Sequence, residues 1–399
     1  MTKLRILMLS PCEPCPPHNG WSIVVYYDLL NLCQLGHEVH LLAITYNAHA
    51  DIKQVRKICP ADYFYKPKLP RWLQVIANVG KQLPFTITRH IDGKLLARAR
   101  ELLRSKKFDV VLVEDEVMAV YGPMLREEFG VPFFVRGHNV GTQVLRRFIK
   151  NQKNPLVKML AMRQMSKYAH YEKAVLKASD GFSMITEDDA MEIKRLFPEL
   201  EPFVVSAGTD LDYFQPSNQP RVPDLIVHVG SLTEFTKLEA MIWFCKSVLP
   251  LIRRQRPNVR LELVGRAPAK AFSRFEGVNV LGQLPDIRPY LARGRVFIAP
   301  QFVGSGIRIK ILNAMATANA IVCTPVACEG IGLVNNQHAL IREDAEGFAQ
   351  AVLSILSDSE LAERLGANAR KFVEEKYNWK TIVEDLAKLL YKISQKGRS

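Results

Sequence analysis

The sequence predicts an α/β protein made of two units, each built on a parallel sheet covered by helices. Three observations lead there. Short, continuously apolar runs of strand length alternate with helical stretches, as in parallel strands buried on both faces. The pattern breaks at residues 215–223, Gln-Pro-Ser-Asn-Gln-Pro-Arg-Val-Pro, which is loop chemistry, and then restarts. A chain of 399 residues is long enough for two domains with a core each.

The elements follow in order. Residues 5–9 read as a buried strand. Residues 21–35 carry Ile23, Tyr26, Tyr27, Leu30 and Cys33 at helical spacing, and Gly36 closes that helix as a C-cap glycine would. Further strands are expected at 37–43, 110–113, 133–135, 182–185 and 203–205. Beyond the break come strands at 225–229, 261–264, 278–281, 296–299 and 321–323, a long helix over 237–253 and another from Ile307. The last amphipathic stretch, 379–393, has no strand after it and is expected to cross back to the first unit. The domain plan is therefore 1–214, a linker at 215–223, 224–376, and a crossing helix within 377–399. In open parallel sheets ligands sit beyond the carboxyl ends of the strands. Two such sheets facing a central cleft would each supply a ligand, an architecture that dehydrogenases and epimerases share, so the loops must decide the function.

Composition narrows the field. With 48% hydrophobic and 24% charged residues the chain reads as globular, and no run reaches the ~20 apolar residues of a membrane span. The start Met-Thr-Lys-Leu-Arg-Ile lacks a cleavage pattern, which leads to an expected cytoplasmic location. Seven cysteines, including the pair Cys12 and Cys15 among prolines, read as reduced thiols rather than a metal or redox site. The net charge of +14 is local. Residues 53–107 carry fourteen Lys/Arg against three acids, and 143–177 carry nine against Glu172 alone. Both stretches interleave apolar residues: Leu69, Trp72, Leu73, Ile76 and Val79 in the first; Val144, Leu145, Phe148, Leu156, Met159 and Leu160 in the second. Such a mixture suits an anionic membrane surface or a polyphosphate, with solvated helix faces as the alternative. No nucleic-acid-binding module is recognisable.

Four loops can carry chemistry. The loop after the first strand, Ser10 to Gly20, lacks the G-x-G-x-x-G of a dinucleotide turn, yet ends in a glycine at a helix start, where backbone N–H groups can meet a phosphate. His138, just past a strand end, is expected at the rim of the cleft within reach of a sugar hydroxyl. In the second half Gly230 follows a strand and Lys237 opens the next helix, placed as a point charge over a diphosphate. The run Gln301-Phe-Val-Gly-Ser-Gly-Ile-Arg-Ile-Lys310 leads through Gly304 and Gly306 into a helix start bearing Arg308 and Lys310. As i, i+2 residues of a helix, those two are not expected to face a ligand together. Glu329-Gly330-Ile331-Gly332 forms another loop on the same rim.

These motifs resemble glycosyltransferase family 4, the large retaining family with the GT-B fold, over nearly the whole chain. The resemblance rests on Pro-Pro-His-Asn-Gly at 16–20, Leu35-Gly36-His37-Glu38-Val39, His138-Asn139, the segment 206–214, Val264-Gly265, the glycine loop 304–312, Cys328-Glu329-Gly330 and Tyr377-Asn378-Trp379. It is most like a subgroup that builds exopolysaccharide or other cell-surface glycans. The family places two acids eight positions apart around the glycine loop, and here those positions are Ser305 and Asn313. The second acid typically grips the nucleotide ribose.

The resemblance implies a retaining transfer from a UDP- or GDP-sugar to a glycan, lipid-linked or small-molecule acceptor, without a metal and without a cofactor beyond that co-substrate. His138, Lys237 and Arg308 would serve the chemistry. Gly20, Gly230, Lys237, Gly304, Gly306, Arg308, Lys310, Asn313, Glu329, Gly330 and Ile331 would hold the donor. Lys237 and the Arg308/Lys310 helix start would neutralise the leaving diphosphate, Asn313 would touch the ribose, and Glu329 a sugar hydroxyl. The protein would sit in the cytoplasm, peripherally at the inner membrane face where a lipid-linked acceptor lies. A sugar-nucleotide epimerase and a degenerate binding or scaffold protein are the alternatives.

Overall fold

The computed structural model describes residues 2–396 except His18, Leu69, 71–77, Val79, Lys153 and Ser305. The chain forms two compact units, Met1–Ala207 with Trp379–Ser399, and Gly208–Asn378. Each is an α/β unit with a parallel sheet.

The first unit has seven strands: β1 (Arg5–Ser10), β2 (Glu38–Thr45), β3 (Ala61–Tyr65), β4 (Val110–Glu114), β5 (Phe133–Arg136), β6 (Gly181–Met184) and β7 (Phe203–Val204). Their order is β3-β2-β1-β4-β5-β6-β7, all parallel. Met8 pairs with Leu41 on one side and Leu112 on the other, so β1 is buried on both faces. Strand order reverses between β1 and β4, and the crevice beyond their carboxyl ends is the switch point of the sheet. The helix Trp379–Lys396 belongs to this unit. It lies on the helix Gly20–Gln34, with Trp379 stacked on Tyr27 at 5.3 Å between ring centroids, and it buries Ile382, Val383, Leu386 and Leu390.

The second unit has six parallel strands: β8 (Val222–Val229), β9 (Arg260–Val264), β10 (Val278–Gly282), β11 (Gly294–Ala299), β12 (Ala320–Cys323) and β13 (Leu340–Ile341), ordered β10-β9-β8-β11-β12-β13. Alternate side chains feed two cores. Ile226 and Val296 pack with Phe244 and Phe348 on one face, while Val227 and Phe297 pack with Ile311 and Met315 on the other. The switch point here lies between β8 and β11.

Some expectations need correction. The edge strands β3 and β13 were not anticipated: β3 is the half-polar Ala-Asp-Tyr-Phe-Tyr, and β13 is two residues long. The helix expected over 237–253 begins as Phe235–Trp243, passes through a π-helical turn at Phe244–Val248 and continues as Leu249–Gln255. Pro250 lacks the N–H that an α-helix would use there, and the wider turn accommodates it. The chain also leaves the first unit earlier than the 215–223 break. The Thr209 N–H donates to Tyr377 O at 2.9 Å, and Phe214 lies in the second unit's core, so the segment after Gly208 already belongs there.

Arg221, inside that break, fastens the loop. Its guanidinium donates to the carbonyls of Leu291, Gly294, Thr317 and Ala318 and to Oδ1 of Asn319, all within 3.1 Å. Charge-assisted bonds of this kind contribute about 1.5–3 kcal/mol each when one partner set is removed, and they overlap here. Arg221→Met is expected to lower the stability of the second unit by about 3 kcal/mol, read from its urea transition. A loss under about 1 kcal/mol would show that water replaces those bonds.

Candidate functional site

At the β8–β11 switch point the structure gathers a cationic loop cluster. Gly230, next after β8, has φ +140°, and Gly265, next after β9, has φ +135°. A Cβ on Gly265 would stand 2.3 Å from Gly230 O, so these two loops touch backbone to backbone. Lys310 leans over Gly230: its Cδ and Nζ lie 3.3 and 3.6 Å from where a Gly230 Cβ would be. Burial, and then the charges of Lys237 and Arg308, pull the Lys310 ammonium down to about 7, with Glu234 opposing. Lys237 itself pairs with Glu234 at 2.8 Å.

Gly304 and Gly306 have φ of +154° and +71°, so the turn ahead of the helix Ile309–Ala316 depends on glycine. The helix starts two residues later than expected, and Arg308 is its extended N-cap. Its Nη1 donates to Gly306 O, and its Nη2 stands 2.8 Å from a Gly304 Cβ position. Because Arg308 precedes the helix, the i, i+2 argument does not apply: Arg308 and Lys310 act on the same loop.

Asn313 lies on that helix with its Oδ1 accepting the Thr209 hydroxyl at 2.8 Å. Its amide adds N–H donors where the family pattern has an acceptor-only carboxylate. Ser305 lies outside the described residues. Glu329 and Gly330 (φ +76°) follow the 3-10 turn Pro325–Cys328, and buried Ile331 is tied through its carbonyl to the Tyr377 hydroxyl at 2.8 Å. Among the described residues no group of three or more His, Cys, Asp or Glu is placed to hold a metal ion.

The first unit carries a different cluster at its own switch point. His138 follows β5 but is buried, not exposed on a rim, and its Nε2 lies 2.9 Å from Glu114 Oε2. Burial pushes the Glu114 carboxyl up to about 7 against the pull of Arg136, and burial holds the His138 imidazole down near 4. Beside them Arg136 pairs through Nε with Asp28, both side chains fully buried, and donates to the carbonyls of Val205 and Ser206 at 2.9 Å. Glu172, the lone acid of its basic stretch, is buried and accepts the Gly141 N–H at 2.8 Å and the Thr142 hydroxyl. Gly20 is exposed, and a Cβ there would meet open space, so that position does not depend on glycine. Its helix is capped instead by Asn19, whose side chain takes the Ser22 N–H.

Sequence reasoning thus found Gly230, Gly304, Gly306, Arg308 and Lys310, which the structure brings together, with Lys237 acting on Lys310. It missed Glu114, Asp28, Arg136 and Thr209. The only sequence signal for Glu114 was a carboxylate run, Glu-Asp-Glu at 114–116, closing an apolar strand.

Residues 223–358 match the family model Glycosyl transferases group 1. Over 405 residues the chain is 24% identical to an uncharacterised 44.6 kDa protein in the cps region of Klebsiella pneumoniae, spanning 96% of this chain and 99% of that one. A phosphatidyl-myo-inositol mannosyltransferase of Mycolicibacterium smegmatis is 25% identical over 187 residues, 45% of this chain and 47% of its own length. Among solved structures, sucrose-phosphate synthase from Thermosynechococcus elongatus superposes with a TM-score of 0.77 at 17% identity over 98% of this chain and 99% of its own. Anabaena HepE in complex with UDP gives 0.71 at 12% identity, over 98% and 100%. The 223–358 segment thus resembles a glycosyl transferases group 1 domain, and the chain has the fold of the GT-B glycosyltransferases.

Proposed function

We propose that the protein is a retaining glycosyltransferase of the family 4 type, moving a hexose from a UDP- or GDP-sugar to a glycan or lipid-linked acceptor of a cell-surface polysaccharide. The observation that carries this reading is the cluster of Lys237, Arg308 and Lys310 around Gly230, Gly304 and Gly306 at the carboxyl ends of β8 and β11. Lys237, Arg308 and Lys310 meet a glycine-lined loop at a helix start, with Glu234 paired to Lys237, which suits a diphosphate. The HepE complex with UDP and the cps-region relative support the choice of donor and pathway class.

In the proposed reaction the bond from the anomeric carbon to the phosphate oxygen breaks, and a bond to the acceptor oxygen forms on the same face. The acceptor hydroxyl proton passes to the leaving phosphate. Lys310, Arg308 and Lys237 stabilise the charge that develops on that phosphate. Glu329 and Gly330 hold the sugar and Asn313 the ribose. No metal takes part in this scheme.

The test is nucleotide release and sugar transfer from a panel of UDP- and GDP-hexoses. Lys237→Ala should reduce turnover by about a hundredfold, as for loss of one transition-state donor. Unchanged turnover removes Lys237 from the site.

The membrane part of the proposal rests on the helices Gly141–Asn151 and Pro155–Ala178. They expose Val144, Phe148, Leu156 (68%), Met159 and Leu160 among Arg146, Arg147, Lys150 and Lys158, while Leu145 packs inward. The apolar residues of the other basic stretch, Leu69, Trp72, Leu73, Ile76 and Val79, lie outside the described residues. Among the described residues no helix is long and apolar enough to cross a membrane. Flotation with anionic vesicles at low salt should carry the protein up, and Phe148→Ser/Leu156→Ser should abolish it. Flotation unaffected by that pair would move the contact elsewhere.

A further inference from the structure

His228 is the second-last residue of β8, 1% exposed and stacked on Phe297 at 6.3 Å between centroids. Its Nδ1 lies 2.9 Å from the carbonyl oxygen of Ile298. A carbonyl can only accept, so Nδ1 carries the proton and Nε2 carries a bare lone pair. Nε2 is buried and has no hydrogen-bond partner among the described residues. A buried acceptor left unpaired costs stability, and where one occurs it calls for an explanation.

The surroundings supply one. Nε2 lies 3.7 Å from where a Cβ on Gly230 would stand, and Lys310 Nζ lies 3.6 Å from the same point. The imidazole lone pair and the ammonium thus flank one bare glycine. Burial and the Lys310 charge both hold His228 neutral, so it remains an acceptor with the cation beside it.

We propose that His228 is a positioning residue of the phosphate site: with a nucleoside diphosphate bound, its Nε2 accepts a hydrogen bond from Lys310 Nζ and fixes the ammonium over Gly230. The inference rests on the donor reading above. The absence of a side chain at Gly230 then has a second purpose besides the left-handed backbone, because any Cβ would fill the gap between the two groups. A lysine carries three donors on a flexible stem, and an acceptor behind it leaves the remaining N–H groups aimed at the phosphates.

Two substitutions separate this role from packing. His228→Asn keeps a donor where Nδ1 serves Ile298 but removes the acceptor. His228→Gln keeps an acceptor near the Nε2 position. Calorimetric titration with UDP and with GDP is expected to show affinity for the bound nucleotide weakened about tenfold or more in His228→Asn and within about threefold of wild type in His228→Gln. In the wild-type protein, the nitrogen NMR signal of His228 Nε2 should report an unprotonated nitrogen that becomes a hydrogen-bond acceptor when that nucleotide is added. This second reading holds even where a variant does not fold. Equal affinities of His228→Asn and wild type, equal losses in both variants, or an Nε2 signal unmoved by saturating nucleotide would each overturn the proposal while leaving the donor site intact. A wild-type protein that binds neither UDP nor GDP overturns the donor reading itself, and this inference with it.

Discussion

Lys310→Met is expected to weaken binding of UDP or GDP, whichever the protein takes, by a hundredfold or more. A charge-assisted contact to a phosphate contributes up to about 3 kcal/mol, which is about two decades of affinity. The pH dependence sharpens the expectation. In the free protein the Lys310 ammonium has its pKa lowered to about 7, by burial first and then by Lys237 and Arg308. A bound diphosphate raises it, so above pH 7 each binding event takes up a proton. Affinity is therefore full below the free-state value and falls as pH rises above it, by up to about tenfold per unit. Lys310→Arg keeps a charge that does not titrate in this range and should flatten the slope. Titrations across about pH 7 to 9 in buffers of different ionisation heat read both the slope and the proton uptake. A wild-type affinity without slope would mean that Lys310 is charged before ligand arrives.

The second large effect concerns stability. Arg136→Met is expected to cost the first unit about 3–5 kcal/mol, because it leaves Asp28 buried without its cation. Arg136 also supplies the donors to Val205 and Ser206, at the last residues before the chain passes to the second unit. The Asp28 carboxyl has its pKa raised to about 7 by burial in spite of Arg136. Its contribution is therefore full below its unfolded value near 4 and is lost as pH rises through about 7. Without Arg136 the folded-state pKa rises further, so that loss extends to higher pH and is larger in total, and Arg136→Met should be least damaging at acid pH. Urea unfolding of the first unit at two pH values checks this, and Asp28→Leu/Arg136→Met should recover part of the loss. A single substitution as mild as the double one would show the pair to be dispensable.

Both effects trace to sites that the sequence revealed unequally. The sheets were legible because β1, β4, β8 and β11 each carry an apolar run of three or four residues, Ile6–Leu9, Val110–Val113, Leu225–Val227 and Val296–Ala299, at strand spacing. The glycine loop was legible because Gly304 and Gly306 sit between a strand and a helix start. Arg308 was misjudged through a helix boundary: as the extended residue ahead of the helix, its guanidinium shares the Lys310 loop. The first unit's cluster was not legible. Arg136 and Asp28 are 108 positions apart, and a lone arginine at a strand end reads as a solvated charge until a helix brings its carboxylate over it. His138 was found by position but placed in the wrong surroundings, because nothing local announces that Glu114 is buried beneath it. His228 went unnoticed for the opposite reason, since a histidine within Leu-Ile-Val-His-Val reads as a satisfied core residue. Only its unpaired Nε2 marks it out.

The central claim is that the loops after β8 and β11 form a nucleoside diphosphate site. Calorimetric titration of the wild-type protein and Lys310→Met with UDP and GDP tests it most directly. One of the two should bind the wild type with a single-site isotherm, and Lys310→Met should lose it. A wild type that binds neither at millimolar concentration, or a Lys310→Met protein that binds as tightly, would contradict the claim and bring forward a binding protein that keeps the fold without the donor.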